Sequence, residues 1–502
     1  MVMAWIALCW KIFGQSPLTT RCAMLLLAAF SLLGFFRLAR LASNTIVAIA
    51  STILAAVYPV FFTQSSLAQI DLPAAGFIFW GLASYFGVED GNTIVGARAS
   101  SPVPWAAVCW FSLAALAKET AILIPFTLIA FQSARRFLST SRELCHSEVP
   151  AKREARNLQF VKSSREKTQA ESGDNSPGSA TEEFSIRQQI WLALSAIPLA
   201  LWYAYHYLRT GRVFGNPEFF RYNVQSTLHP LRIFLALLLR IWQTVGYLDF
   251  YVLTLACVAA MMFPAITDKD GERRRIALSV QYTFLAIIIV YLIALSVIGG
   301  AVLARYMLPV VPPVILVCVS TIWRRLSAWK LVLAVIVLAF ISALFINPPY
   351  GFAPEDNLGY RDYILLHQGA ETFLEQKFPN AHVLTAWPAS DELTRPYLGY
   401  VNKPIQVVRI DDFSAEQLLA AADYRSRFDL ALIFSTKYQP HTILDRWPLW
   451  QEWKSRYFDY HVDLTPEAAA SVLGGTLVYV ERLRGQWVGV VQLDRIEEAG
   501  FR

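Results

Sequence analysis

Charge is scarce in this sequence for its length. Only 16% of the 502 residues are charged, 55% are hydrophobic, and the mean hydropathy is +0.40. This apolar content exceeds that of ordinary soluble domains. The composition therefore excludes a single soluble domain and predicts a polytopic membrane protein.

Several motifs are also missing. The sequence contains no Walker loop, no dinucleotide-binding fingerprint and no internal repeat, which argues against a nucleotide-driven pump. Its net charge of +6 is concentrated in particular loops, so nucleic acid is not expected as a partner. Cysteine spacing matches neither a zinc site nor a disulfide framework. No cofactor and no metal ligand is assigned, and a requirement for a divalent metal stays open. The six cysteines are Cys9, Cys22, Cys109, Cys145, Cys257 and Cys318.

Long hydrophobic stretches are abundant before residue 347. The stretch 105–131 is longer than the ~17 to 25 residues of one crossing, and Lys118 interrupts its middle. It therefore predicts a short hairpin of two crossings, which brings the total to about ten spans. Residues 1–13 predict a helix lying on the membrane, because a signal peptide would have a basic start and a small-residue cleavage site. The stretches that predict spans are 21–39, 45–62, 72–86, 105–131, 190–208, 247–263, 277–297, 307–323 and 331–346.

The basic residues predict the side of the membrane on which each loop lies. The loop 132–189 carries ten Lys or Arg residues and a polar Ser/Glu/Gly stretch, so we expect it to be cytoplasmic and disordered. The other basic loops fall on the same side only if 105–131 crosses twice. With that topology, Lys118 reaches the outer face, where Asp71 also emerges. Those other basic residues are Arg37, Arg40, Lys269, Arg273, Arg274, Arg275, Arg324, Arg325 and Lys330.

The chain changes character after the last predicted span. Residues 1–346 form the predicted transmembrane domain, and residues 347–502 have the composition and size of a soluble α/β or α+β domain, which the topology places on the extracytoplasmic side of the membrane. Its tryptophans could stack on sugars, but core packing or contact with the membrane interface is favoured. They are Trp387, Trp447, Trp450, Trp453 and Trp487. The predicted elements are helices over 363–378 and 416–422, strands over 382–387 and 429–435, and a hairpin over 475–493.

Asp71 is the main candidate for a catalytic residue. It is the only charged residue in the apolar segment 58–73, and an acid within or beside a membrane is costly to keep without a function. The alternative is a carboxylate that simply faces water between two spans. Lys118 is a candidate phosphate contact or, instead, a snorkelling anchor. Arg305 and Tyr306 follow a glycine-rich turn, which makes Arg305 a further candidate phosphate contact.

A second group of polar residues follows the predicted span 190–208. On the outer face, these residues are candidate substrate contacts. They are His206, Arg209, Glu218 and Arg221. Arg232 and Arg240 lie on the amphipathic stretch 231–242, where single arginines usually anchor to lipid headgroups. We therefore expect Arg232 and Arg240 to face the lipid.

Four short motifs follow one another through residues 1–346. They are Trp10-Lys-Ile-Phe-Gly with Arg21, Pro59 through Gln64 to Asp71-Leu-Pro, Ala114-Ala-Leu-Ala-Lys-Glu-Thr, and Ala304-Arg-Tyr-Met-Leu-Pro. In this order and spacing they resemble the membrane glycosyltransferases of the GT-C fold, specifically bacterial relatives of protein O-mannosyltransferases and aminoarabinose transferases in glycosyltransferase family 39. A soluble module after the membrane domain is common in such enzymes.

The resemblance implies a reaction and a set of roles. These enzymes take a sugar from a polyprenyl-phosphate donor and transfer it, generally with inversion, to a protein, lipid or glycan on the extracytoplasmic side of the cell membrane. Such a transfer needs a carboxylate to accept a proton and cations to balance the departing phosphate. Asp71 matches the acid of the second outer loop, and Lys118 and Arg305 match partners of the donor phosphate. Tyr306 and His206 match hydrogen-bonding groups.

The resemblance also implies a segment ahead of residue 1. In the family, a first span and an acidic first outer loop precede the motif with which this sequence begins. Those acids would supply the principal catalytic base, so we expect Asp71 to match the second acid of the site. The expectation is either of a true start upstream of Met1 or of a shortened, non-catalytic form.

Two other functions are compatible with these residues. A transporter or flippase of a lipid-linked sugar would use intramembrane charges to line a passage, and inverted repeats would favour it. A non-catalytic scaffold would be favoured if Asp71, Lys118 and Arg305 lay far apart. The sugar and the acceptor are not defined by the sequence.

Overall fold

Helices make up most of the first 346 residues in the computed structural model of this protein. The structure describes residues 1–91, 105–147, 189–213, 227–268, 271–438, 440, 442–458 and 460–494. In chain order, the helices are α1 (Val2–Phe13), α2 (Pro17–Ala42), α3 (Thr45–Val57), α4 (Pro59–Gln64), α5 (Asp71–Gly91), α6 (Trp105–Ala117), α7 (Leu123–Ser147), α8 (Ile197–Thr210), α9 (Pro230–Val245), α10 (Phe250–Met261), α11 (Leu278–Val297), α12 (Val311–Arg325) and α13 (Trp329–Phe345). A small hairpin of β1 (Thr267–Asp268) and β2 (Gly271–Glu272) connects α10 to α11.

Helices α2 and α5 pack closely because glycines face larger side chains across their interface. A Cβ on Gly34 would lie 2.6 Å from Trp80 Cδ1, and one on Gly76 would lie 2.1 Å from Ser31 Oγ. Atoms do not approach so closely, so only glycine fits without rearrangement at either position. Small residues that let backbones approach are a common basis of helix association in membranes. This pairing fixes α5, whose first residue is Asp71.

Two predicted spans are interrupted. The span 45–62 breaks at Pro59, where α4 begins, because proline cannot donate the backbone hydrogen bond that a continuous helix needs. The span 247–263 starts later than predicted, at the first residue of α10, because Leu248 and Asp249 have φ of 49° and 62°. This left-handed turn separates α9 from α10.

The apolar helices fit a membrane protein. By length and composition alone, two helices in the described residues, α2 and α11, are long and apolar enough to cross a bilayer. Helices α9 and α10 pass the same test together, as a pair bent by 75°. Helices α1, α3, α6 and α13 are apolar but shorter. The count of ten crossings stays a prediction.

The predicted N-terminal helix is observed, whereas the first part of the loop 132–189 is helical rather than disordered. The predicted N-terminal helix is α1, which buries Val2, Ile6 and Cys9 and exposes its opposite face. The loop 132–189 was expected to be disordered, but α7 extends to Ser147. Residues 132–147 contain neither proline nor glycine, so nothing in them ends the helix. Residues 148–188 lie outside the described residues.

A mixed five-stranded sheet organises the C-terminal part of the chain. Its strands are β3 (His382–Thr385), β4 (Gln406–Arg409), β5 (Leu430–Phe434), β6 (Gly475–Leu483) and β7 (Gln486–Leu493). The spatial order is β4-β3-β5-β7-β6, in which β4, β3 and β5 run parallel and β7 is antiparallel to both neighbours. Val383 pairs with Val407 on one side and Leu430 on the other. The helices are α14 (Gly359–Lys377), α15 (Ala389–Thr394), α16 (Ala415–Ala422), α17 (Pro448–Phe458) and α18 (Pro466–Leu473).

The predicted elements of this part correspond closely to observed ones. The helices expected over 363–378 and 416–422 are α14 and α16, and the strands expected over 382–387 and 429–435 are β3 and β5. The hairpin expected over 475–493 is β6–β7. Trp387 is 71% exposed and Trp447 is 51% exposed, so core packing does not explain these two side chains.

The buried hydrophobic side chains form two clusters, one within Val2–Phe352 and one within Leu366–Val491. The β6–β7 turn connects the two parts of the chain. Its Arg484 donates a hydrogen bond to the carbonyl oxygen of Phe345, at the end of α13, over 2.7 Å. Arg484 also pairs with Asp362 near the start of α14, at 3.0 Å. The connection holds the linking residues 346–358 close to the ends of the apolar helices.

Candidate active site

Asp71 lies at the centre of a group of charged side chains. It is the first residue of α5, and only 4% of it is exposed. Its carboxylate forms an ion pair with Lys118 through one oxygen and lies 3.2 Å from Arg305 Nε through the other. Asp71 is therefore not a solvated carboxylate that simply faces water between two spans. Two cations from distant parts of the sequence share one buried acid.

Lys118 takes part because the helix breaks at this residue. Helix α6 ends at Ala117, Lys118 is extended with φ of −151°, and a 3-10 turn follows over Glu119–Ile122. The break turns the lysine side chain toward α5, and its Nζ also lies 3.7 Å from the centroid of the Tyr306 ring. Cation–π contact and the ion pair therefore hold the ammonium group in position. Whether α6 and α7 form two crossings stays a prediction.

Arg305 lies on the 3-10 turn Ala304–Met307, between α11 and α12. Besides Asp71, it forms an ion pair with Glu355. Glu355 belongs to the turn Pro354–Asp356, which follows the last apolar helix, and its backbone carbonyl accepts a hydrogen bond from Gln64 Nε2 at 3.3 Å. Helix α4 therefore helps to position the acid that pairs with Arg305.

Asp356, the next residue after Glu355, is held by a hydrogen bond instead of an ion pair. Asp356 is buried and accepts a hydrogen bond from the Tyr247 hydroxyl at 2.7 Å. Burial raises the pKa of Asp356 to about 6, although the Tyr247 hydrogen bond and the charge of Arg305 oppose that shift. Adjacent residues thus differ in charge environment, with Glu355 paired to a cation and Asp356 bonded to a phenol.

Arg240 adds a third cation. Its guanidinium lies 5.5 Å from the Tyr306 ring centroid and donates hydrogen bonds to the Leu303 carbonyl oxygen at 2.7 Å and to Gln243 Oε1 at 2.9 Å. Its Nε and Nη2 atoms are buried and face no hydrogen-bond partner in the described part of the chain. Arg240 therefore keeps donor groups available for a ligand.

The prediction that Arg232 and Arg240 anchor lipid headgroups is wrong. Both side chains are almost completely buried, at 1% and 0% exposure. Arg232 donates to the carbonyl oxygens of Ser296, at 3.1 Å, and of Gly299 and Gly300. Helix α9 turns its polar residues inward, where backbone carbonyls accept hydrogen bonds from Arg232 and from one nitrogen of Arg240, and it exposes leucines on its other side, as expected for a helix beside lipid.

One cation of this group lacks an acid of its own. Asp71 and Glu355 form ion pairs with Lys118 and Arg305, whereas Arg240 forms no ion pair with any described residue. Cations with unused donors, on a low-dielectric background, favour an anionic ligand such as a phosphate.

The structure brings together only some of the predicted site residues. Asp71, Lys118, Arg305 and Tyr306 contact one another, so the separation that would favour a scaffold is not observed. His206, in contrast, bonds to the end of its own helix, where its Nδ1 lies 2.9 Å from the Arg212 carbonyl oxygen.

The remaining predicted contacts are not joined to this group. Arg209 is exposed and lies 6.0 Å from the Tyr205 ring on α8. His206 is half-buried and Arg209 is exposed on α8, and no contact joins either of them to the group around Asp71 among the described residues. Glu218 and Arg221 lie outside the described residues. The roles assigned to all these residues stay predictions.

Sequence reasoning missed Glu355 and Arg240. Glu355 follows the last apolar helix and emerges on the same face as Arg305 under the predicted topology, but nothing local distinguishes it from other loop acids. The sequence does contain a pattern that indicates a buried position for Arg240. The polar or small residues of α9 recur at the spacing of one helical face, and that whole face is buried. They are Arg232, Ala236, Arg240, Gln243 and Thr244.

The fold and this group of charges define a polytopic helical membrane protein with a C-terminal sheet domain and a buried cationic site. Residues 1–146 match the model of the family described as dolichyl-phosphate-mannose-protein mannosyltransferase. The match covers the segment that contributes Asp71 and Lys118.

Two solved structures resemble the whole chain. The crystal structure of ArnT from Cupriavidus metallidurans bound to undecaprenyl phosphate matches with a TM-score of 0.50 and 13% sequence identity, over 98% of this chain and 87% of that one. The apo structure of the same protein matches with a TM-score of 0.47 and 13% identity, over 97% and 86% of the two chains. No curated protein sequence matches significantly. The family match and the ArnT likeness confirm the predicted resemblance to GT-C glycosyltransferases and the GT-C fold.

Proposed function

We propose that this chain is a GT-C glycosyltransferase that takes a sugar from a polyprenyl-phosphate donor. The observation that carries the proposal is the convergence of Asp71, Lys118 and Arg305, from three separate elements, at one buried point. A lipid phosphate needs cations that are held in place before it arrives. The ArnT crystal structure, which contains undecaprenyl phosphate, supports this class of donor.

The proposed reaction assigns each group a step. The donor phosphate binds to Lys118 and Arg305 and displaces the Asp71 carboxylate from them. Among the described residues of the site, the freed Asp71 carboxylate is the group placed to accept the proton of the acceptor hydroxyl, although the resemblance gives the principal base to an acid ahead of residue 1. The acceptor oxygen attacks the anomeric carbon as it loses that proton. The bond from that carbon to the phosphate oxygen breaks, and its electron pair leaves with the lipid phosphate, which the two cations stabilise. Arg240, 5.5 Å from the Tyr306 ring centroid, contributes further positive charge.

The proposal extends to the location of the reaction. The basic loops predict that Asp71 and the C-terminal domain face the extracytoplasmic side of the inner membrane. The acceptor is a protein, a lipid or a glycan that reaches the site from that side. A transporter of lipid-linked sugars is the competing function, since it would need the same cations.

Binding of undecaprenyl phosphate tests the site directly. We expect Arg305→Gln and Lys118→Gln each to weaken binding by about 10-fold or more, because each removes a charge-assisted contact. The matched control is Arg274→Gln, which removes an exposed arginine near β2 and should bind like the wild type. Affinity can be measured in detergent by native mass spectrometry. Equal affinities in all four proteins would contradict the assignment.

Transfer distinguishes an enzyme from a transporter. Vesicles that contain the protein would receive tritiated hexose and aminopentose conjugates of undecaprenyl phosphate, together with bacterial membrane extract as acceptor. A glycosyltransferase releases undecaprenyl phosphate and forms a new glycosidic bond. Movement of intact conjugate between leaflets, without bond formation, would support the transporter.

A further inference from the structure

A second group of buried ionisable side chains lies on elements of the C-terminal sheet domain. His367 and Glu371 are one helical turn apart on α14, so their side chains share a face. Glu392 on α15 faces them, and its carboxylate accepts a hydrogen bond from His367 Nδ1 at 2.7 Å. The three residues are 1%, 0% and 7% exposed. Neither the GT-C fold nor the group around Asp71 accounts for them.

The two acids lack a positive partner. Neither carboxylate oxygen of Glu371 accepts a hydrogen bond from the described residues, although Glu371 is completely buried. No Lys or Arg in the described part of the chain forms an ion pair with Glu371 or Glu392, and His367 is the nearest basic group, at 4.0 Å from Glu371. Two buried carboxylates without a cation are strongly unfavourable.

We propose that His367, Glu371 and Glu392 bind a divalent metal ion of the Zn²⁺ type. One nitrogen and two carboxylate oxygens, one from each residue, all lie within 4.8 Å of one another. Small side-chain rotations bring them to the roughly 3.4 Å spacing of ligands around tetrahedral zinc. The ion would replace the proton on His367 Nδ1, and its two charges would balance those of the two carboxylates.

The surroundings hold the histidine ligand in place. The His367 ring lies between the rings of Tyr363, with centroids 4.2 Å apart, and Phe434, at 4.4 Å, which fix its orientation. The imidazole ligand favours Zn²⁺ over Mg²⁺ or Ca²⁺, which prefer oxygen. A bound ion would join α14 to α15, on either side of β3 in the sequence. Binding would therefore stabilise the sheet domain.

Without a metal, a proton must neutralise the pair. Burial and repulsion from Glu392 raise the pKa of Glu371 well above its ordinary value, which favours a protonated acid when no metal is bound. A proton shared by the two carboxyl groups is therefore the alternative to the metal. The variant Glu371→Gln distinguishes a bound metal from a shared proton, because glutamine mimics a protonated acid but cannot replace a carboxylate ligand.

The test uses the intact chain in detergent. Bound metal is first removed with EDTA, the protein is then equilibrated with Zn²⁺, and unbound zinc is washed away. We expect the wild type to retain ~1 zinc ion per chain more than Glu371→Gln. Zn²⁺ should raise the unfolding temperature of the wild type and not that of the variant. Mg²⁺ should leave both unchanged. The control Glu452→Gln removes an exposed carboxylate from α17 and should retain zinc like the wild type.

Equal zinc contents in the wild type and Glu371→Gln would overturn the proposal in favour of a shared proton. If that variant does not fold, two other measurements test the site. They are the zinc content of Glu392→Gln and X-ray absorption at the zinc edge of the wild type. One imidazole nitrogen with carboxylate oxygens near ~2.0–2.1 Å supports the site. A zinc shell without nitrogen, or no retained zinc, overturns it.

Discussion

At the scale of single residues, Asp71 is defined by its partners. A single carboxylate lies between Lys118 and Arg305, and both of its oxygens are held by these cations. Its proposed role as a base therefore depends on an anion that takes its place. The same contacts would also suit a purely structural acid that holds two helices together, so the two roles need an experiment that separates them.

Asp71→Asn separates these roles. We expect sugar transfer to fall at least ~100-fold, because an amide cannot accept the proton. Affinity for undecaprenyl phosphate should be unchanged or higher, because Lys118 and Arg305 lose a competing carboxylate. Transfer and native mass spectrometry would be measured on the same preparation.

The control for this variant is Asp423→Asn, which removes an exposed acid after α16 and should keep full transfer. Loss of phosphate affinity together with a lower unfolding temperature in Asp71→Asn would indicate a structural acid. Unchanged transfer would exclude Asp71 from catalysis.

Glu371 gives a residue-scale prediction about pH. In metal-free protein, burial and repulsion from Glu392 raise the pKa of Glu371 above its ordinary value of 4.5, so the folded state keeps a proton at pH values where the unfolded chain has released it. Unfolding therefore releases a proton across this window, and wild-type stability falls as pH rises, by up to ~1.4 kcal/mol per pH unit. The group faces Glu392, His367 and the phenol of Tyr400, and burial raises the pKa of Tyr400 as well.

Glu371→Gln removes this titration. In EDTA, the variant should gain stability relative to the wild type as the pH is raised from 5 to 9. Thermal unfolding at several pH values, followed by tryptophan fluorescence, measures the difference. A constant difference across that range would contradict a raised pKa for Glu371.

The sequence predicted some of these residues and not others, for physical reasons. Asp71, Lys118 and Arg305 are charges in apolar surroundings, so their cost marks them individually. Glu355 lies in a polar turn, where an acid costs nothing, and only the fold brings it to Arg305. Arg240 was assigned to the lipid because a long apolar helix with two arginines fits the membrane surface as well as it fits a buried polar face.

At the scale of secondary-structure elements, local signals were reliable and long-range pairing was not. Helix α14 and strands β3 and β5 agree with their predicted ranges because their periodicity is local. The parallel order β4-β3-β5 depends on contacts far apart in the sequence and could not be derived from it. Breaks in apolar helices were also underestimated, as the turn at Pro59 illustrates.

The close packing of α2 on α5 gives a prediction at this scale. Gly76→Ala places a methyl group 2.1 Å from Ser31 Oγ and 3.0 Å from the Ser31 backbone, so the helices must separate. We expect the free energy of unfolding to fall by ~1–3 kcal/mol, typical of overpacking. Chemical or thermal unfolding in detergent would measure it.

The control lies on the same helix. A Cβ on Gly87 meets only Leu41 Cδ1, at 3.8 Å, so Gly87→Ala should be neutral or stabilise by up to ~1 kcal/mol. The combination Gly76→Ala with Ser31→Gly should recover part of the loss, because it removes the clashing hydroxymethyl group. Similar effects of both alanine substitutions would indicate that packing at Gly76 is not tight.

At the scale of the whole molecule, the two parts of the chain depend on each other through the site. The apolar helices supply Asp71, Lys118 and Arg305, whereas Glu355 lies in the segment that leads to the sheet domain. Arg484 on the β6–β7 turn holds the start of that segment at Phe345. The sheet domain therefore helps to position the acid that pairs with Arg305, and both must lie on the same side of the membrane.

The membrane topology of the chain can be measured, and the result tests this arrangement. In a cysteine-free background, single cysteines at two exposed positions report on opposite faces: Glu416→Cys in the sheet domain and Arg274→Cys beside β2. A membrane-impermeant maleimide should label Glu416→Cys in spheroplasts and Arg274→Cys only after the membrane is opened, because basic loops stay in the cytoplasm. Labelling of both positions before opening would place the domain and the basic loop on one face. That result would contradict the predicted topology and remove the reason to expect an extracytoplasmic acceptor.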